Sequence, residues 1–131
     1  MTNEPNSLAD LFGEVIHSYS RAQAIQDGVL VDVTELASEA GFKWPFAMTT
    51  EAWALIEDIP ESHAHEDIKG RLWDVLTVAF AMIRSGKGAG DLLYFDVILH
   101  TSDTDRVRLK LHCGPGDDGR PVLTLMLPGQ D

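Results

Sequence analysis

A single cysteine, Cys113, occurs among the 131 residues, so no internal disulfide can form and a cytoplasmic location is expected. No apolar run approaches the ~20 residues that cross a bilayer, and Met1–Pro5 offers neither the basic nor the apolar stretch of an export signal, so no membrane partner is expected. Positive charge is scarce as well: 10 Lys and Arg stand against 21 Asp and Glu, for a net charge of −11. The shortage is local. Residues 1–67 carry 13 acids and only two bases, Arg21 and Lys43, whereas residues 68–131 carry eight of each. Phosphate binding needs local Lys or Arg, so direct contact with nucleic acid through the first half is not expected. Two readings of that half remain. One is a solvated surface that keeps the chain in solution; the other is a face that docks on a basic protein.

What is present is an ordinary globular composition, 44% hydrophobic and 24% charged. A chain this long buries roughly two-thirds of its unfolded surface, which suits one core and not two. A single domain over residues 1–131 is expected, with residues 1–6 as a flexible tail. Leu8, Leu11, Phe12, Val15 and Ile16 recur at helical spacing and predict a helix over 8–17. Ser20 with Gln23 forms a capping box for a second short helix, which Gly28 ends. Val29–Val33 is β-branched and predicts a short strand. Thr34 is expected to cap a helix over 35–40 that Gly41 stops, and Phe42–Phe46 reads as an aromatic loop whose rings tuck against the core. Thr49 or Thr50 caps a helix reaching about Asp58. The longest helix, over 66–85, carries Ile68, Leu72, Val75, Leu76, Ala79, Met82 and Ile83 on one stripe, with Arg71 and Arg84 outside it. Three strands follow, 92–100, 106–113 and 122–127, joined by turn-rich segments. The expected class is therefore α+β: N-terminal helices and one long amphipathic helix packed on a C-terminal three-stranded antiparallel meander, with a fourth short strand at 29–33 as an option.

Motifs that carry chemistry are weak. Gly86–Gly90 follows a helix and opens a strand, the reverse of a phosphate loop. His63 and His65 lie in an acidic stretch, but zinc needs three or four convergent ligands, so a solvated loop is the simpler reading and no metal or cofactor is expected. Gly116–Gly119 explains itself as a hairpin turn. Cys113 shares a strand face with Leu109 and Leu111 and reads as a buried small hydrophobe; His112 points the other way, so the two form no catalytic pair. Arg106, Arg108, Lys110 and His112 line one face of one strand. Either cross-strand acids such as Asp96 match them, or they form an anion-binding surface. That basic face could also meet the acidic half of a second copy, giving a homodimer.

Four strings resemble an uncharacterised bacterial family: Tyr19–Val33 (YSRAQAIQDGVLVDV), Ala40–Lys43, Gly70–Leu76 and Cys113–Gly119. The resemblance runs from about residue 8 to 129. It implies small acidic proteins of plasmids and integrative elements, and it brings no activity and no catalytic residues. That setting includes inhibitors of host restriction and interference systems. The expected function is accordingly a non-enzymatic accessory role, binding a protein with a basic surface through Glu35, Glu39, Glu51, Glu57, Asp58 and Glu61. The alternatives are a small enzyme with a pocket at Tyr19, Arg21 and Asp32, and a homodimer joined through the sheet.

Overall fold

The computed structural model describes residues 19–86 and 90–131; the expected tail over 1–6 and helix over 8–17 lie outside them. Among the described residues the strands are β1 (Leu30–Asp32), β2 (Phe46–Thr49), β3 (Leu92–Ile98), β4 (Arg106–Pro115) and β5 (Pro121–Met126). The helices are α1 (Arg21–Gln26), α2 (Thr34–Ala40), α3 (Thr50–Glu57) and α4 (Ile68–Arg84), with a 3₁₀ turn at Glu61–His63. The strands form one sheet in the order β1-β2-β5-β4-β3. β3, β4 and β5 are the expected meander, and β1 is the expected fourth strand. β2 corrects the reading of Phe46 as loop. It pairs antiparallel with β1 and parallel with β5, with Ala47 opposite Thr124, and so joins the N-terminal strand to the meander. The fold is α+β, with a five-stranded mixed sheet where three or four antiparallel strands were expected.

Local sequence sets most helix ends. The Ser20 hydroxyl accepts from Gln23 N at 2.9 Å, and Thr49 Oγ1 accepts from Ala52 N at 3.2 Å. Asp67 caps α4 by accepting from Gly70 N at 2.6 Å. Thr34 does not cap its helix. Val33 occupies that position without a side-chain bond, while Thr34 Oγ1 accepts from Phe46 N at 3.0 Å and donates to Asp32 Oδ1 at 2.5 Å. Its hydroxyl therefore ties the start of α2 to the start of β2. Gly41, at φ 119°, ends α2 in the left-handed region. A Cβ there would lie 2.8 Å from Phe80 Cζ, so glycine also lets the chain pass close to α4.

α4 lies on one face of the sheet. Leu72, Val75, Leu76 and Ala79 pack with Phe46 and Met48 of β2, Phe95 and Val97 of β3, Leu109 of β4 and Leu125 of β5. Full burial of side chains this size contributes about 1.5–3 kcal/mol each, so this layer anchors the fold. Phe42 stacks edge-on against both Phe46 and Phe80, at 4.9 and 5.3 Å. Trp44 stays outside at 43% exposure, so the aromatic loop tucks in only part of its apolar surface. Ile68 and Ile83, at the ends of the stripe, are exposed too. Arg71 is the larger correction: the helical pattern places it outside the stripe, yet it is 2% exposed. Its Nε donates to Ile56 O at 2.8 Å, and Nη2 donates to Leu55 O at 2.8 Å and Asp58 O at 3.1 Å. Nη1 donates to His100 O and meets Glu66 Oε1 at 2.7 Å. One guanidinium thus satisfies the carbonyls at the end of α3 and holds them to the chain after β3.

Candidate functional site

Glu35 and Glu39 lie one turn apart on the exposed side of α2. Glu51 is in the first turn of α3, Glu57 is its last residue, Asp58 follows as its C-cap, and Glu61 opens the 3₁₀ turn. Glu57, Asp58 and Glu61 gather at one end of α3, with Glu51 about 10 Å away along the axis at 1.5 Å rise per residue. Two of the six carboxylates are already engaged. Asp58 Oδ2 accepts from Ser102 Oγ at 2.7 Å and Ser102 N at 3.1 Å, and these bonds hold its carboxyl below the usual range. Glu51 Oε1 accepts from Gln130 Nε2 at 2.9 Å, which lowers its pKa likewise. Among the described residues none of the six forms an ion pair with Lys, Arg or His.

The basic stripe behaves differently. Asp96 lies opposite Arg108 in the register and meets its Nη1 at 3.2 Å, while the guanidinium rests 5.6 Å from the Tyr94 ring centre. His112 Nε2 lies 3.5 Å from Asp91 Oδ2. Lys110 is buried, and its ammonium donates to the Gln130 carbonyl. Arg106 is exposed beside the cleft between α4 and β3. Cross-strand matching therefore accounts for Arg108, and Lys110 does not belong to an open face. Cys113 departs from expectation in the opposite sense: it is exposed.

Arg21 and Asp32 come together without an ion pair between them. With Thr34, Phe46, Asp117 and Val122 they line a cavity of about 280 Å³. The Arg21 guanidinium is committed to the sheet, Nη1 donating to Thr124 Oγ1 at 2.7 Å and Nη2 to Leu123 O at 2.5 Å. Burial lowers its pKa, and Asp32 and Asp117 pull it back up. Asp117 accepts from the backbone N–H groups of Arg21 and Ala22 at 2.8 and 3.1 Å, which depresses its own pKa. Tyr19 is not part of this lining. Its hydroxyl donates to Asp27 Oδ2 at 3.0 Å, and burial together with that carboxylate raises its pKa. The group ties α1 to β5 and to the β4–β5 turn, with the Thr34 hydroxyl held on Asp32 at 2.5 Å in the same lining.

Two further features lie apart from these residues. A groove of about 500 Å³ lies beside Phe42, Trp44, Phe80, Ile83, Leu92 and Cys113; the aromatic segment Phe42–Phe46 was its only signal. His63 stacks on His100 at 3.9 Å between ring centres, with planes 13° apart, and lies 6.0 Å from His65. Rings stacked face to face do not converge their nitrogens on one ion, and no group of three or more His, Cys, Asp or Glu among the described residues could hold a metal. Among those residues no helix is long and apolar enough to cross a membrane. No curated protein and no solved structure matches the chain. A profile of a family of unknown function, DUF6573, matches residues 9–131, nearly the whole sequence, and the chain belongs to that family.

Proposed function

We propose that the protein is a non-enzymatic binding module whose carboxylates on α2, on α3 and after it dock on a protein with a basic surface, such as a groove that otherwise holds nucleic acid. The observation that carries this reading is the asymmetry in charge pairing. Arg71, Arg108 and Arg120 pair with Glu66, Asp96 and Asp118. The six carboxylates named above have no such partner among the described residues, and Glu35, Glu39, Glu57 and Glu61 are exposed. Unneutralised surface acids raise the on-rate for a basic partner and favour it over acidic ones. A cytoplasmic accessory of a mobile element, inhibiting restriction or interference, is the specific form of this proposal.

The test is capture of a partner from bacterial lysate by the tagged chain at low and at high salt, repeated with Glu35, Glu39, Glu57 and Glu61 all changed to Gln. The expected partner is basic, is released by salt, and is lost in the fourfold variant. Retention of the same partner by that variant, or at high salt, would sink the proposal.

A further inference from the structure

The two edges of the sheet are unlike. β1 is three residues long, and α1 packs beside it. β3 is the other edge, with seven residues that contain no Pro, Gly or Lys, the residues that usually blunt an edge. Its backbone pairs with β4 on one side, leaving the outward row of N–H and C=O groups without a strand partner among the described residues. Beside it, Asp74, Thr77 and Val78 of α4 and Asp96, Val97 and Ile98 of β3 line an open cleft of about 640 Å³. The side chains facing away from the helices include Tyr94 and Ile98, which are 44% and 65% exposed. The one acid between them, Asp96, is already matched by Arg108.

We propose that a second copy of this chain pairs antiparallel with β3 about a two-fold axis at Phe95, continuing the sheet across the two copies. The strand Leu92–Ile98 is self-complementary in that register. Tyr94 faces Asp96 of the other copy, Leu92 faces Ile98, and on the helical side Leu93 faces Val97. Shifting the axis to Asp96 sets two carboxylates directly opposite. Shifting it to Tyr94 sets each carboxylate against Leu92. Of these three, the Phe95 register alone avoids both: it sets Leu92 on Ile98 and Leu93 on Val97, places each Asp96 opposite a tyrosine, and leaves it on its own Arg108. The dimer uses none of the six carboxylates proposed for docking, so the two proposals fail separately. They also respond to salt in opposite directions: screening weakens attraction to a basic partner but relieves repulsion between two copies of net charge −11.

Sedimentation of the full chain over a range of concentrations tests the proposal. The expected result is reversible association to twice the 14.4 kDa chain mass, strengthened by salt. Ile98→Lys, at an exposed position, should weaken it about tenfold or more by setting an ammonium against Leu92. A cross-link fixes the register without depending on that variant. In a Cys113→Ser background, Tyr94→Cys chains mixed with Asp96→Cys chains should form an intermolecular disulfide, and neither should do so alone. A monomer at every concentration, a dimer indifferent to Ile98→Lys, or cross-linking of Asp96→Cys chains by themselves would each overturn it.

Discussion

Arg71 and Arg21 do the same work at two different junctions. Each guanidinium donates to at least one main-chain carbonyl of another segment, and each is accompanied by an aspartate that accepts two donors across the same junction. Arg71 works with Asp58, which takes Ser102 N and Oγ; Arg21 works with Asp117, which takes two N–H groups of α1. The difference is depth. Arg71 is 2% exposed and binds four carbonyls and a carboxylate, whereas Arg21 is only part-buried and binds one carbonyl and one hydroxyl. Depth decides what removal costs, because acceptors at a shallow junction can turn to water and acceptors at a deep one cannot.

The largest effect should come from Arg71→Ala. It strands the carbonyls at the end of α3 and leaves Glu66 without its partner, and urea denaturation should show a loss of about 3–5 kcal/mol. Arg71→Lys should recover only a small part of that, since one ammonium cannot reach five acceptors set for a planar fork. Arg21→Ala should cost less, about 1–2 kcal/mol by the same measurement. Equal losses at the two sites would break the comparison.

A third, smaller effect concerns acid. Asp58 and Asp117 have folded pKa values below their ordinary ones, so each contributes stability that is present above the unfolded pKa and is lost as pH falls through the folded pKa. Melting temperature measured against pH should therefore fall less below about pH 4 in Asp58→Asn and in Asp117→Asn than in the unchanged chain. Acid limbs identical to that of the unchanged chain would show that neither carboxylate holds its junction. The smallest effect belongs to the exposed acids: the fourfold Glu→Gln change at 35, 39, 57 and 61 should leave chemical stability within about 0.5 kcal/mol, because these groups hold nothing inside the described fold.

The contrast between the two arginines also shows what a sequence conveys. Ser20, Thr49, Gly41 and the Asp96–Arg108 pair were legible because each acts within its own turn, cap or hairpin. Arg71 was not, because helical periodicity sorts residues by angle and knows nothing of the carbonyls that α3 brings overhead. β2 was missed for a related reason: four residues beside a proline become a strand only when a strand more than 70 residues later lies alongside them. Thr34 looked like a cap, and its hydroxyl went instead to Asp32 and to the Phe46 N–H at the start of β2. Alternation along β4 holds from Arg106 to Leu109 and fails at Lys110 and Cys113, where coverage of the two faces changes. Of the candidate site, the exposure of Glu35, Glu39, Glu57 and Glu61 could be read from residue type, as could the meeting of Arg21 with Asp32 from their shared string. The place of Tyr19 outside that cavity could not.

The parallel pairing of β2 with β5 also sets an order of events. Among the described strands β5 comes last in the chain and third across the sheet, and it alone pairs both with β2 and with the β3–β4 hairpin. Until it is made, β1–β2 and β3–β4 are two ribbons with no strand pairing between them, each with an apolar face that α4 covers. The sheet closes only with residues 121–126, so loss of the last dozen residues would divide the sheet and not merely shorten it.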